Sequence, residues 1–246
     1  ASHYQLDTIY SIQGIANGTT NYMLTCMEQG EDYDDVLKRA QELGYAEADP
    51  TADVEGHDVR AKLAILTKLG FGLTVSIDQI PTVGISSVTA TDFANAKSLG
   101  CTIKLIGTAD AKDGENLTVF VSPRMVPSTS ALGSCSGSGN LVSIESKHNQ
   151  VCTFSGPGAG RYPTAQSVVA DVLKVAEGTV NRNPFPTPPR SLNVLGDFSA
   201  RFYLRGNPDA IVEGAKGLDL DINAQDGFWL TDEKVNESRL QALKRA

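Results

Sequence analysis

The stretch Gly44-Tyr-Ala-Glu-Ala-Asp-Pro-Thr-Ala-Asp-Val-Glu-Gly-His-Asp-Val-Arg-Ala-Lys62, with the run Leu63-Ala-Ile-Leu-Thr-Lys-Leu-Gly70 behind it, decides how this chain is read. From Val59 onward the apolar residues Val59, Leu63, Ile65, Leu66 and Leu69 recur at three- and four-residue spacing. That spacing predicts a helix with one buried side and Gly70 just past its end. At roughly 100° per residue Asp58 and Lys62 share a stripe, and Ile65 and Leu69 continue it; His57, Arg60, Thr67 and Lys68 fall on the other side. The expectation is an acid and an amine aimed into the arc that the aliphatic residues bury, where ions are costly unless paired or used. The competing reading is an i,i+4 ion pair on a wet face, worth about 0.3–0.5 kcal/mol. A lysine held against a carboxylate in a cleft can donate a proton to a developing alkoxide, and burial can tune its pKa for the task. Upstream, Glu47, Asp49 and Asp53 crowd carboxylates around Pro50. Asp53 and Glu55 suit the positive end of a helix dipole; Glu47, further out on the turn, has no such role.

Outward from this stretch, the chain of 246 residues is 41% hydrophobic and holds no apolar run of membrane-spanning length. It reads as a soluble protein of one large domain, or of a domain with a small appendage. A formal net charge of -8 disfavours nucleic acid and anionic membrane as partners and leaves a small-molecule substrate. Cys26, Cys101, Cys135 and Cys152 lack CxxC pairing, which suits reduced thiols in the cytoplasm or an organelle stroma. His3, His57 and His148 are too dispersed for a zinc set, so no metal is expected.

Before the central stretch, residues 6–13 alternate as a strand entering Gly14. Asn17-Gly-Thr-Thr is a loop feeding a helix through Thr19 or Thr20 as N-cap, with Met23, Leu24 and Met27 inside. A second helix runs over 33–43 and ends at Gly44. After the central helix, residues 80–85 read as a strand and 91–100 as a short helix with a glycine stop. Residues 102–109, 117–122, 141–146 and 151–154 then read as strands separated by Gly, Ser and Pro clusters. The predicted class is α+β, a mixed β-sheet with helices packed on one face. Gly156-Pro-Gly-Ala-Gly160 opens a returning helix over 164–178, and such a loop can bring backbone N–H groups against an anion or a flat ring. The body is expected to span 1–182, a proline-rich linker 183–197, and a small βαββα module 198–246.

Three segments together resemble the homoserine dehydrogenase family: the Gly44–Lys62 stretch running on to Leu66, Gly14-Ile-Ala-Asn-Gly-Thr-Thr-Asn-Tyr22, and Gly156-Pro-Gly-Ala-Gly-Arg-Tyr-Pro-Thr-Ala165. The resemblance extends from about Ile9 to about Leu173. It implies hydride exchange between NADP or NAD and L-aspartate 4-semialdehyde to give L-homoserine, in threonine, methionine and isoleucine biosynthesis. By the same resemblance Lys62 is the proton donor, Glu47 and Asp58 bind the substrate, and Thr19 lies near its pocket. Gly44 and Gly160, with Gly158 beside it, would lie against the cofactor. The resemblance also implies a homodimer formed through the catalytic sheet, and it likens the C-terminal module to a shortened ACT domain lacking a final strand.

The family's nucleotide-binding fingerprint, G-x-G-x-x-G, has no counterpart here: Gly156-Pro-Gly158 meets Arg161 where the third glycine belongs. The lysine that the family's nucleotide domain contributes and its sodium-holding loop are also unmatched. The expectation is a substrate and catalytic portion that needs a nucleotide-binding domain, in the full protein or in another chain, and is inactive alone. The alternative is a non-catalytic paralogue that binds homoserine or a related amino acid, or assembles with a full-length enzyme. Glu47, Asp58 and Lys62 together favour the former, because a binding-only protein has no use for a proton donor.

Overall fold

Residues 102–109 are buried at every position, which marks them as the middle of a sheet. A computed structural model, describing residue 4, residues 6–180 and residues 189–240, shows the sheet that surrounds them. The body runs β1 (Ile9–Ile15), α1 (Gly18–Glu28), α2 (Tyr33–Glu42), α3 (Thr51–Val54), α4 (His57–Phe71), α5 (Ala90–Ser98), β2 (Cys101–Asp110) and β3 (Asn116–Pro127). It continues with β4 (Gly139–Ser146), β5 (Gln150–Pro157), α6 (Arg161–Ala176) and β6 (Asn193–Leu195). Strand order is β5-β4-β1-β2-β3-β6. The pairs β1–β2, β1–β4, β2–β3 and β4–β5 are antiparallel, and a parallel bridge, Thr82 to Val121, adds to the sheet.

Ile103, Leu105 and Ala109 of β2 and Leu117, Val119 and Val121 of β3 share one core with Met23, Leu24 and Met27 of α1, Val59, Leu63 and Phe71 of α4, and Phe93 and Ala96 of α5. The helices thus cover one face, as the α+β expectation holds. Gly107 lets α4 lie close: a Cβ there would stand 3.1 Å from Val59 Cγ1.

The expectation for α4 needs correcting in two ways. Its buried residues are Val59, Leu63, Thr67 and Phe71, while Ile65 is 61% exposed and Leu69 is exposed as well. The Asp58–Lys62 stripe therefore faces outward. Aliphatic residues occupy more than half the circumference of this helix, so periodicity alone leaves two candidate arcs, and the close approach at Gly107 selects the one through Leu63. Nor does Gly70 end the helix; it lies inside, near Ile12, and Gly72 in the left-handed region at φ 77° terminates it.

Three smaller differences follow from local chemistry. Residues 80–85 form a strap rather than a strand: Val83 N–H donates to Val121 O, and Ile85 N–H to Val54 O. Pro81 has no N–H for a ladder. The N-cap of α1 is Asn17, not Thr19 or Thr20. The helix α6 begins at Arg161, before the expected 164, and both it and β5 carry no buried residue.

The chain divides into two units after Val194, within the expected linker of residues 183–197. The second half of the expected linker is tied to the body: Arg190 donates to Ile9 O at 2.6 Å, its backbone N–H to Phe71 O, and its guanidinium lies over the Phe71 ring. Residues 183–188 of that linker lie outside the described residues.

The second unit, residues 195–246, holds β7 (Ser199–Ala200), β8 (Tyr203–Leu204), α7 (Pro208–Gly217), β9 (Ile222–Ala224), β10 (Trp229–Thr231), β11 (Val235–Asn236) and α8 (Glu237–Leu240). Strands β8, β10 and β9 form one antiparallel sheet in that order, and β11 pairs with β7. Ala215, Leu220, Val235 and Leu240 form its small core. The rest of the expected last helix, over residues 237–245, lies with residues 241–246 outside the described residues.

Candidate active site

Where β1 ends, the chain turns through Ala16 and Asn17 into α1, and two carbonyl and carboxamide groups are left pointing at the start of α4. Lys62 Nζ donates to Asp58 Oδ2 at 2.7 Å and to Ala16 O at 2.8 Å. The Lys62 side chain is 45% exposed and that of Asp58 31%. The pair is therefore anchored on one side and open on the other. Lysine has three N–H donors; two are committed here, which leaves the third for a reactant oxygen. The burial expected for this pair is not provided by the described chain.

Asn17 is the organising residue that sequence reading missed. It is 5% exposed. Its Nδ2 donates to Asp53 Oδ1 at 2.7 Å and to Asp58 Oδ2 at 2.9 Å, while its Oδ1 accepts from Thr20 N at 2.8 Å and Thr20 Oγ1 at 3.1 Å. Asp53 is thus more than a helix-start acid. The only local signal in the sequence is that Asn is a strong N-cap residue.

Thr19 Oγ1 donates to Tyr45 O at 2.6 Å, which pins the turn after α2 beside the first turn of α1. Gly44, at φ 76°, makes that turn possible. Tyr45 stacks obliquely on Tyr22, whose hydroxyl accepts from Arg39. Gln41 Nε2 donates to Glu47 O at 3.0 Å, so the backbone of Glu47 is held. Its carboxylate is exposed and enters no ion pair among the described residues. Asp49 accepts from Thr51 N–H and hydroxyl, which hold its carboxyl below the usual carboxylate range.

The glycine loop arrives at the same end of the sheet by register: Ile15 pairs with Leu141, and Asn140 with Gly156. Gly158 lies against the Asn140 side chain: a Cβ would come within 1.8 Å of its Nδ2 and would require that side chain to move. Gly160, at φ 121°, starts α6 with no side-chain cap. No hydrogen bond joins this loop to Glu47, Asp58 or Lys62 among the described residues.

Fold and site together define an α+β domain that presents a part-exposed lysine–carboxylate pair, Lys62 and Asp58, at one end of its sheet. The homoserine dehydrogenase family matches residues 1–173. A homoserine dehydrogenase of Mycobacterium leprae is 42% identical over 210 residues, which is 82% of this chain and 48% of that protein. The crystal structure of a homoserine dehydrogenase from Thiobacillus denitrificans superposes with a TM-score of 0.81 at 30% identity, covering 96% of this chain and 60% of that one. A hyperthermophilic archaeal homoserine dehydrogenase mutant, solved in complex with NADPH, has a TM-score of 0.60 at 26% identity over 72% of this chain and 50% of its own. The chain belongs to the homoserine dehydrogenase family, and it spans about half the length of the curated relatives it matches.

Proposed function

We propose that this chain is the substrate-binding and proton-transfer portion of a homoserine dehydrogenase, acting with a nucleotide-binding domain on L-aspartate 4-semialdehyde and L-homoserine. The observation that carries the proposal is the uncommitted third N–H of Lys62, held in place by Asp58 and Ala16 O. The cofactor, NADP or NAD, would supply the hydride in its reduced form, NADPH or NADH; NADPH in the archaeal relative supports a nicotinamide cofactor. As hydride reaches the carbonyl carbon, Lys62 gives a proton to the carbonyl oxygen, so aldehyde, hydride and proton balance as alcohol. Asp58 and Ala16 O keep the amine aimed, and its exposure lets solvent return the proton. Glu47, with its carboxylate open, pairs with the substrate ammonium. The Thr19 hydroxyl, its hydrogen committed to Tyr45 O, retains lone pairs for a substrate donor. Gly44, Gly158 and Gly160 give the cofactor backbone without side chains, and the uncapped start of α6 offers N–H groups to it.

The same reading includes a homodimer. The sheet face opposite the core helices, where register places the half-buried Ser143 and Gln13 beside Thr108 and Phe120, themselves already covered by Arg124, would pair with its copy. Residues 198–246 are proposed as an ACT-like module, supported by the succession β8-α7-β9-β10 and the sheet order β8-β10-β9; the short strands β7 and β11 are additions to the expected βαββα order. No observation favours the non-catalytic reading.

The test is Lys62→Ala in the enzyme completed with its nucleotide-binding region. Turnover of homoserine with NADP should fall by about 10²–10⁴ with substrate KM changed only a few-fold. Near-normal turnover would remove Lys62 from the mechanism.

A further inference from the structure

The carboxamide of Asn17 uses its entire hydrogen-bonding capacity: two N–H donors to two carboxylates, two lone pairs to the N–H and hydroxyl of Thr20. This also settles its orientation, since a flipped amide would aim oxygen at Asp53 and Asp58 and NH₂ at a backbone donor. Asp53 and Asp58 stand within a few ångströms of one another around that single nitrogen. Two carboxylates at such a distance repel unless a donor lies between them. Asp58 Oδ2 accepts from Asn17 and from Lys62 alike, so its rotamer is fixed by both.

We infer that Asn17 is a positioning residue for proton transfer: its NH₂ group locks the Asp53–Asp58 pair in the geometry that aims Lys62, separately from its role as the cap of α1. The inference rests on the proposed chemistry of Lys62. It gives Asn17 two jobs that substitution can separate. Serine is a good N-cap but cannot span to both aspartates, and aspartate caps as well but only accepts. Asn17→Ser therefore keeps the cap and loses the clamp, and Asn17→Asp does the same while placing a third carboxylate in the cluster.

Two measurements test this. In the completed enzyme, Asn17→Ser should retain its melting temperature within a few degrees while kcat falls about tenfold to a hundredfold with little change in KM; Asn17→Asp should fall further. Wild-type kcat in Asn17→Ser would reduce Asn17 to a helix cap and overturn the inference. A second readout does not depend on turnover: the ¹³Cε resonance of unmodified Lys62 in ¹³C-lysine-labelled protein, assigned by its loss in Lys62→Arg and followed through a pH titration of this chain. An altered Lys62 titration in Asn17→Ser and Asn17→Asp supports the clamp, and curves identical to wild type overturn it. If the wild-type completed enzyme does not turn over homoserine, the proposed function fails, while this titration still decides whether Asn17 governs Lys62.

Discussion

The two motif-bearing regions of the body differ in how they are held. At the α1–α4 end, Asn17, Thr19 and Thr20 are buried, and the polar cluster stands on Met23, Leu24, Val59 and Leu63. In the glycine-loop arm, β5 and α6 carry no buried residue, and Phe154, Tyr162, Val168, Val169, Val172 and Leu173 are exposed. The hydrogen bonds that hold the first region are made within this chain. An apolar helix stripe left in water is the mark of a surface that another element covers. The nucleotide-binding domain of the proposed function is the element that would cover it. Under the proposed function, the lysine–carboxylate cluster is built locally, while the glycine-loop arm would be covered by another domain.

The strongest way to break this contrast is to unroot the first region. Gly84 lies in the strap that fastens the α3–α4 turn to β3, and a Cβ there would be 2.2 Å from Val54 O and 2.5 Å from Glu55 Cα. Both are backbone neighbours with nowhere to move. Gly84→Ala should cost about 3 kcal/mol in denaturant unfolding. An unchanged midpoint would mean the strap is not what holds α4.

A second substitution sharpens the contrast by stabilising the rooted end. Lys104 is 1% exposed, and among the described residues its Nζ has a single long bond, 3.4 Å, to Asn21 Oδ1. Burial pushes its pKa below the ordinary lysine value, against the opposing pull of Glu28 and Cys135. In the window between that lowered value and about 10.4 the unfolded chain binds more protons, so stability rises with pH there. Lys104→Met should stabilise the fold by about 1–3 kcal/mol near neutral pH and remove that slope. Destabilisation would show that the amine has a partner worth more than its burial costs.

What the sequence disclosed of these regions follows contact range. The cap of α2 by Asp32 and the glycine after it are local, and residues 33–43 read correctly. Asp58 and Lys62 are one helical turn apart, so their pairing was legible. The Asn17 clamp joins residues 36 and 41 positions apart, and no periodicity carries that information. The buried arc of α4 was misread because both arcs are aliphatic and only the sheet chooses between them. Alternation in β5 signalled a strand but not the face it leaves bare.

The joint between the regions gives a pH test. Asp7 accepts from Asn149 N–H and Nδ2 and from His148 N–H, clasping the β4–β5 turn. Burial pushes its carboxyl up, and these bonds outweigh that and hold it below the usual carboxylate range. A depressed folded pKa gives stability that is present above about pH 3.9 and lost as pH falls through the folded value. Amide exchange in the hairpin should therefore quicken under strong acid, and Asp7→Asn should quicken it at neutral pH. Equal protection in both proteins would mean that the turn holds itself.

The smallest effect on this chain bears most directly on the contrast. Val169 and Val172 lie three residues apart in α6, and both are more than half exposed. Replacing exposed apolar residues that pack against nothing leaves stability within about 0.5 kcal/mol. Val169→Ser with Val172→Ser should accordingly leave the unfolding of this chain unchanged. In the completed enzyme the same pair should weaken attachment of the nucleotide-binding region, seen as faster proteolysis between the regions and a higher KM for NADP. If the double variant destabilises the isolated chain, α6 is already packed on the body, and the arm belongs to the rooted region after all.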